Sequence, residues 1–410
     1  MTAPVPVMVT FATDALASEL ESFGSSLTSS TWWNTVRAGI CAGATGPCVG
    51  DGGPGVSVAI PTPASASYTD SATGGPSTLQ TWLVGAISSG VLPAPGAGAV
   101  SNSIYVVFLP QTTSVSLDGE TSCADGSFVG YHAWLTLGAQ QIPYAVVVEC
   151  PTLAPAFPNV QATTLLEQTT IAASHEMVEA ASDPIPPTGY ALDATNTANW
   201  GWLDVTGGGE LADMCVDLVG LNQDHVSDGV FVAQRVWSNA RAAANRDPCL
   251  PPLAGATYFN VAPRQSFFVL PVGGSATFKA DAFSLAPMSD WSLLPQDWSD
   301  STTSYLSFSI EGATSTEAGP VVQANDGATV RITVTLTKDP GALDVGEADG
   351  ALVSFSGDPD APTAAHFWPF AVMSDADAAD AGVTAGTAQA RNRLAAESAG
   401  RGARAPTRGW

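Results

Sequence analysis

Unbroken apolar runs are the clearest pattern in the first half of the chain. Ser103–Leu109 and Tyr144–Glu149 are rich in β-branched residues and show no polar alternation, which is typical of strands buried on both faces. Val5–Phe11 and Val56–Ile60 predict two further strands. Helical periodicity predicts helices at Leu16–Leu27, Trp32–Ile40 and Leu79–Ile87. Because helices alternate with strands, we expect an α/β layered domain.

A long helix is predicted after these strands. Pro158-Asn159 is a helix-start signal, and no Gly or Pro interrupts the chain from Val160 to about Ser182, before Pro184 ends the helix. Further on, the apolar run Val230–Ser238 predicts a single strand near Cys249 that closes the domain.

The pattern changes at about Ala254, where short alternating stretches are separated by turn residues. This spacing predicts an antiparallel β-sandwich of immunoglobulin-like size, with His366–Met373 as its last strand. The tail that follows is rich in Ala, Gly and Arg and is expected to be disordered. We therefore predict a layered domain at 1–252, an immunoglobulin-like β-sandwich at 254–375 and a disordered Arg-rich tail at 376–410.

The charge balance excludes some classes of partner. In 410 residues, 38 acids against 13 bases give a formal net charge of −25. Such a surface repels phosphate backbones and anionic lipids, so nucleic acid and membrane surfaces are not expected as partners. No apolar run approaches the roughly 18 to 20 residues of a membrane span. We expect a monomer.

The six cysteines form three couples that are local in sequence: Cys41 with Cys48, Cys123 with Cys150, and Cys215 with Cys249. An even number in loop-rich surroundings favours disulfides in an oxidising compartment, although the spacing also fits six unpaired thiols. We therefore expect a secreted or cell-envelope protein. The N-terminal stretch Met1–Phe11 has neither the basic region nor the apolar length of a signal peptide.

The segment SHEMVEAASDP carries the strongest chemical signal. It places His175 and Glu179 one helical turn apart, so that both side chains lie on one face about 6 Å apart and can converge on one ion. Glu176 projects in a neighbouring direction, where it could activate a metal-bound water as general base. This is the arrangement of zinc peptidases with the HExxH pattern, with Glu179 in place of the second histidine. A carboxylate ligand also suits Mn²⁺ or Ca²⁺.

A third ligand must come from elsewhere in the chain. Glu210 and Asp213 are the preferred candidates, because three glycines precede them and Cys215 could fix their segment. His132, from a neighbouring strand, is a less favoured candidate. Asp183 lies roughly 12 Å along the helix from His175, at 1.5 Å per residue, and is expected to cap the helix or support a ligand. Short HExx fragments also occur as plain polar helix faces, so the motif alone leaves that alternative open.

Eight segments together resemble the exordium-like (phosphate-induced) proteins of plants and their bacterial relatives. They are, in chain order, PVPVMVTF, SFGSSLTSSTWWNTV, SIYVVFL, GYHAW, YAVVVEC, SHEMVEAASDP, GELADMC and QRVWSN. The resemblance covers roughly Pro4 to Cys249, and Ser182 stands where the family usually has threonine. It implies an extracellular or cell-envelope protein with a zincin-like core. It also implies functional roles for His175, Glu176, Glu179, Asp183, Glu210 and Asp213.

Three functional hypotheses follow. The first is a zinc-dependent hydrolase, specifically a metallopeptidase, acting on a peptide or cell-wall substrate. The second is a non-catalytic cell-envelope protein, in which a structural ion occupies the same residues and the surface binds carbohydrate or a protein partner. The plant relatives are known as cell-wall growth-related proteins, which keeps this hypothesis open. The third is a scaffold without metal, which would leave clustered carboxylates uncompensated.

Overall fold

Most of the strands and helices predicted for the first half of the chain are present in the structure. It is a computed structural model that describes residues 1–38, 40, 48–63, 65–71, 77–124, 128–150, 164–185, 210–215, 223–238, 241, 246–255, 257–299, 303–341, 343, 347–358 and 361–380. The fold is a mixture of α and β structure that divides into two compact units. The described residues of the first lie within Met1–Gly189 and Asn222–Arg235, and those of the second within Tyr190–Leu221 and Val236–Thr407. The sequence-based boundary at residue 252 stays a prediction.

The first unit is built on a mixed sheet. Its strands are β1 Val5–Phe11, β2 Val56–Ile60, β3 Ser67–Asp70, β4 Ser103–Leu109, β5 Ser114–Leu117, β6 Glu120–Thr121, β7 Gly130–Leu137, β8 Gln140–Val148, β9 His225–Asp228 and β10 Phe231–Gln234. The main sheet has the order β2-β1-β4-β8-β7, in which β7 alone runs antiparallel to its neighbour. Strands β3, β5 and β6 form a small second sheet, and β9 pairs with β10 as a hairpin.

Helices lie on both faces of the main sheet. They are α1 Ala17–Leu27, α2 Thr31–Arg37, α3 Thr78–Ser88 and α4 Leu165–Ser182. Successive strand residues point to opposite faces. Tyr144 and Val146 of β8 therefore pack with Leu83 of α3 in one apolar core. On the other face, α1 approaches β1 so closely that a methyl group at Gly24 would overlap Met8. Helix α4 also lies on this second face, against β8 and β7.

Helix α4 begins at Leu165, five residues later than predicted. Thr164 is its N-cap: the hydroxyl accepts a hydrogen bond from the Glu167 backbone N–H, and the Glu167 side chain accepts one from the Thr164 N–H. This capping box fixes the start of the helix. The predicted start, Pro158 to Thr163, lies outside the described residues. Every residue from Thr169 to Ser182 is buried, so the helix is packed on all sides.

The run predicted as one strand at Val230–Ser238 is interrupted. It forms β10 and then the two-residue strand β11 (Val236–Trp237), with Arg235 between them. The Arg235 backbone N–H donates to the carbonyl of Asp224, and its guanidinium donates to the carbonyl of Gln223. Arg235 is buried. Because its backbone N–H bonds to Asp224, it is not available for strand pairing, and the strand is interrupted at this residue.

The second unit is a β-sandwich. Its strands are β11, β12 Cys249–Leu250, β13 Phe259–Pro263, β14 Phe267–Leu270, β15 Ser275–Ser284, β16 Trp291–Asp297, β17 Leu306–Ile310, β18 Thr314–Thr316, β19 Gly319–Ala324, β20 Thr329–Leu336, β21 Glu347–Asp358 and β22 Ala361–Ser374. One sheet has the order β13-β15-β20-β17, and the other β14-β22-β21-β16-β19-β18. The ring of Phe370 in one sheet packs on Phe278 and Phe308 of the other, with centroids 5.5 and 6.0 Å apart.

Two findings qualify the predicted sandwich. Strand β14 pairs in parallel with β22, although the pattern of short strands predicts antiparallel pairing throughout. A short helix, α5 (Asp375–Asp380), follows β22, so the first residues assigned to a disordered tail are helical. Residues 381–410 lie outside the described residues.

Two of the three predicted disulfides are confirmed. Cys123 is bonded to Cys150, and Cys215 to Cys249. Cys41 lies outside the described residues, so its pairing with Cys48 stays a prediction. Among the described helices, none has the length and apolar character that crossing a membrane requires.

A carboxyl pair, in which Glu149 is buried and Asp14 is half-buried, lies where two parallel strands of the first unit end. Glu149 follows β8 and Asp14 follows β1, and the two carboxyl groups are hydrogen-bonded to each other. Glu149 is only 3% exposed. Burial, with the hydrogen bond and the charge of Asp14, raises the pKa of Glu149 from 4.5 to about 8. The raised pKa favours the protonated form of Glu149 at neutral pH.

This pair predicts a specific dependence of stability on pH. The unfolded chain releases the Glu149 proton near pH 4.5 and the folded chain near pH 8, so the free energy of unfolding falls as pH rises between these values. Glu149→Gln keeps a neutral side chain at this position. We expect it to flatten the curve of melting temperature against pH in that range. Glu317→Gln, at an exposed acid of the second unit, is the control. Parallel curves for Glu149→Gln and wild type would contradict the prediction.

Candidate metal centre

Helix α4 brings His175 and Glu179 together as their spacing predicts. Nε2 of His175 lies 2.9 Å from Oε2 of Glu179, one helical turn further on. Both residues are only 2% exposed. A carboxylate at such burial is costly unless a positive group compensates it. The pair is therefore a buried, polar contact that needs a cation or a proton.

His132 joins this pair from the sheet. On β7, its neighbours Tyr131 and Ala133 belong to the apolar core on the α3 side, so His132 points to the opposite face, where α4 lies. Its Nδ1 lies 3.7 Å from Oε2 of Glu176 and 3.8 Å from Oε2 of Glu179. His132 was the least favoured ligand in the sequence, yet in the structure it directly faces both carboxylates.

The remaining nitrogen of each histidine faces an oxygen that can only accept a hydrogen bond. Nδ1 of His175 lies 3.1 Å from the amide oxygen of Gln234, and Nε2 of His132 lies 3.2 Å from the carbonyl of Asp183. The opposite nitrogens, Nε2 of His175 and Nδ1 of His132, face the carboxylates. Metal-ligating histidines typically have this second hydrogen bond.

The spacing of these atoms suits a divalent cation. Ligand atoms of His132, Glu176 and Glu179 all lie within 4.8 Å of one another. Nitrogen and oxygen ligands about 2.1 Å from a tetrahedral ion lie roughly 3.4 Å apart. The 3.7 and 3.8 Å separations around His132 are close to that value. These three side chains are therefore spaced closely enough to be ligands of one ion.

Gly130, at the start of β7, leaves the space that Glu176 occupies. A methyl group on its Cα would lie 2.8 Å from Oε1 of Glu176 and 3.1 Å from its Cγ. No other residue type fits here without moving the carboxylate. Since Glu176 is 2% exposed, it has little room to move.

Asp183, Glu210 and Asp213 are the other residues that the sequence predicted for the site. Asp183 is the C-cap of α4: its N–H donates to the Glu179 carbonyl, and its own carbonyl faces His132. Burial raises the pKa of the Asp183 carboxyl, and the nearby His132 opposes the shift. Glu210 and Asp213 belong to the second unit, where the Glu210 N–H donates to the Asp213 carboxylate. Their assignment as third ligand stays a prediction.

Gln234 and Ser174 support the site, although the sequence did not point to either. Ser174 precedes His175 and its hydroxyl accepts the backbone N–H of Gln234 at 2.8 Å. Gln234 lies in the segment QRVWSN, which contributes to the family resemblance but was given no role. A glutamine among the apolar residues of a predicted strand was the available signal, because a buried amide requires polar partners.

No family model matches this chain, and no curated protein sequence matches it. A conjugative transposon lipoprotein from Bacteroides eggerthii is similar over 28% of this chain and 95% of its own, with 9% identity and a TM-score of 0.21. Domain 1 of VCBP3 from Branchiostoma floridae is 9% identical over 30% of this chain and 98% of its own, with a TM-score of 0.19.

The secreted serine protease VesC from Vibrio cholerae is 14% identical over 28% of this chain and 23% of its own, with a TM-score of 0.18. At TM-scores this low, no conclusion about fold or function rests on these similarities. The resemblance to exordium-like proteins and the zincin-like layering of the first unit therefore stay predictions.

The fit between Gly130 and Glu176 predicts a coupled effect on stability. Gly130→Ala should lower the free energy of unfolding by about 1–3 kcal/mol, because the added methyl group overlaps the carboxylate. In a Glu176→Ala background the same change should cost much less, because the obstacle is gone. Chemical denaturation of the four proteins in this cycle measures the coupling.

Gly85→Ala is the matched control for this cycle. Gly85 lies inside α3, and an added methyl group would meet nothing within 4 Å. We expect this change to stabilise the chain by about 0.5–1 kcal/mol, the usual gain of Ala over Gly in a helix. Equal costs for Gly130→Ala in both backgrounds would show that Glu176 does not occupy the space beside Gly130.

Proposed function

We propose that this chain is a metal-dependent hydrolase, specifically a zinc metallopeptidase acting outside the cytoplasm. The observation that supports the proposal is the short distance from two imidazole nitrogens to the buried carboxylates of Glu176 and Glu179. A buried group of this composition binds a cation far more readily than it remains uncompensated.

Each residue has a distinct role in this proposal. His175 and Glu179 hold the ion, and His132, Glu210 or Asp213 supplies the third ligand. A bound divalent cation would polarise a substrate carbonyl and lower the pKa of a water. Glu176 would accept the proton of that water at a carboxylate oxygen and return it to the leaving amine. Gly130 holds Glu176 in place by leaving space for it.

The ligand types favour zinc. Two imidazole nitrogens and a carboxylate match the ligands of catalytic zinc sites, whereas Ca²⁺ prefers six or more oxygens. Mn²⁺ accepts the same mixture of nitrogen and oxygen and is the alternative ion.

The disulfides support the proposed location outside the cytoplasm. Two are formed, and such bonds are rare in reducing cytosol. We therefore place the protein in the secreted fraction or the cell envelope, and a peptide or a cell-wall polymer is the proposed substrate.

One observation favours a second candidate function, a structural ion in a non-catalytic envelope protein. His175, Glu176 and Glu179 are each 2% exposed, and His132 is 8% exposed. A catalytic ion keeps one coordination position open to substrate, whereas a structural ion is enclosed by protein ligands. In this alternative Glu176 is a fourth ligand, and the protein surface binds carbohydrate or a protein partner.

Metal content and activity together test the proposal. Purified wild-type protein should contain a stoichiometric divalent metal by elemental analysis, and His175→Ala should lose it. Glu176→Gln should retain the metal and lose hydrolytic activity by about 10²- to 10⁴-fold, the usual contribution of a general base. Activity is measured on a panel of peptides and cell-wall fragments with metal-replete protein. Metal without any hydrolysis by wild type would support the structural ion, and absence of metal would exclude both functions.

A second comparison identifies the third ligand. If His132 coordinates the ion, His132→Ala should weaken metal binding by several orders of magnitude, whereas Glu210→Ala and Asp213→Ala should change it only slightly. We expect this result, because Nδ1 of His132 already faces both carboxylates. Competition with a chromogenic chelator measures the three dissociation constants. Loss of binding in Asp213→Ala or Glu210→Ala, with His132→Ala unaffected, would assign the ligand to the second unit.

A further inference from the structure

A buried carboxylate accepts four hydrogen bonds on the face of the main sheet opposite α4. It belongs to Asp70, the last residue of β3, which is 5% exposed. The hydroxyls of Tyr131 and Tyr144 donate to its Oδ2 at 2.6 and 2.7 Å. Its Oδ1 accepts the side-chain N–H of Gln80 and the backbone N–H of Ser71. The cost of burying Asp70 is therefore offset by hydrogen bonds from β7, β8 and α3.

Tyr131 stands between the two residues of β7 that adjoin the candidate metal centre. Gly130 leaves the space that Glu176 occupies, and Nδ1 of His132 lies 3.7 Å from Oε2 of the same Glu176. Successive residues of a strand point to opposite faces, so Tyr131 lies in the apolar core on the α3 side while its two neighbours face α4. Rotation of β7 about its own axis would move Tyr131 and His132 in opposite directions. A bond that fixes the Tyr131 hydroxyl therefore also limits the position of His132.

Strand β7 depends on such a bond more than β8 does. Among the described strands of the main sheet, β7 lies at the edge and pairs with β8, whereas β8 is paired with both β4 and β7. An edge strand is held by one ladder of backbone hydrogen bonds and by its side chains, so it opens more easily than an interior strand. Asp70 belongs to the small sheet of β3, β5 and β6. The bond from Tyr131 thus attaches the start of β7 to a second sheet.

We propose that Asp70 and Tyr131 are positioning residues, whose hydrogen bond holds the start of β7 from the face opposite α4 and so sets where His132 lies beside Glu176 and Glu179. The part of this inference that concerns metal binding rests on the function proposed above. The part that concerns β7 depends only on the contacts of Asp70 and Tyr131. The two parts can therefore fail separately.

Hydrogen–deuterium exchange of the chelator-treated, full-length protein tests the attachment of β7 without metal. Tyr131→Phe keeps the ring in the apolar core and removes a single oxygen atom. We expect the amides of Gly130–Leu137 to exchange about tenfold faster in this variant, because a hydrogen bond to a charged group no longer opposes opening of the strand. Unchanged exchange of β7 in Tyr131→Phe would overturn the inference.

Tyr144→Phe is the matched control. It removes a hydrogen bond to the same Oδ2 of Asp70, and also the bond that the Tyr144 hydroxyl accepts from Gln80. The control therefore loses at least as many hydrogen bonds, but it lies on an interior strand and both its neighbours along the chain are apolar. The melting temperature should fall by similar amounts in the two variants. Equally fast exchange of β7 in Tyr144→Phe would contradict the specific role of Tyr131.

Zinc binding, measured by competition with a chromogenic chelator, tests the consequence for the site. Tyr131→Phe should weaken binding by about 3- to 30-fold, the usual range for a residue that acts through another, and Tyr144→Phe should bind as wild type does. The visible absorption of the Co²⁺-loaded protein reports the geometry of the ligands. It should change in Tyr131→Phe and stay unchanged in Tyr144→Phe.

The combined results separate this inference from the proposed function. If both variants lose zinc affinity equally, the effect is one of general stability and the positioning role is wrong. If wild type binds zinc and Tyr131→Phe binds equally well, the positioning role fails and the metal site stands. If wild type binds no zinc but exchange of β7 is faster in Tyr131→Phe alone, the proposed function fails while the attachment of β7 through Asp70 stands.

Discussion

The burial of two carboxylates beside two imidazoles is the constraint on which the first unit depends. Glu176 and Glu179 are almost inaccessible to water, so their negative charge must be balanced within the protein. The surrounding elements position the groups that contact these carboxylates. Strand β7 supplies His132, Gly130 makes room for one carboxylate, and the hairpin of β9 and β10 holds His175 through Gln234. A helix packed on all sides keeps the motif at a fixed distance from each of them.

The sheet fixes the position of His132 relative to α4. β7 lies at the edge of the sheet, pairs antiparallel with β8, and presents His132 on the face that α4 covers. The disulfide between Cys123 and Cys150 joins the chain before β7 to the chain after β8. A cross-link of this kind restricts the unfolded chain and so favours the folded hairpin. The covalent bond and the strand pairing thus act on the same two strands that support the site.

The sequence predicted those elements whose pattern is local. Buried parallel strands read as unbroken apolar runs, so the bounds of β1, β2 and β4 were predicted correctly. The one-turn spacing of His175 and Glu179 likewise needs only helix geometry. Contacts between distant segments leave no such pattern. Nothing local to Arg235 shows that its bonds to the Asp224 region interrupt a strand, and nothing local to His132 or Gln234 shows that both meet α4.

The two proposed functions differ in the role of a single carboxylate. If His132, His175 and Glu179 hold the ion, Glu176 remains beside it as a base and the site is catalytic. If Glu176 also coordinates, four protein ligands close the shell and the ion is structural. Glu176 lies 3.7 Å from His132 but is held against the backbone at Gly130, so its reach is set by the sheet as much as by α4. The backbone at Gly130 therefore determines which of the two functions is possible, because it limits whether the Glu176 carboxylate can coordinate the ion.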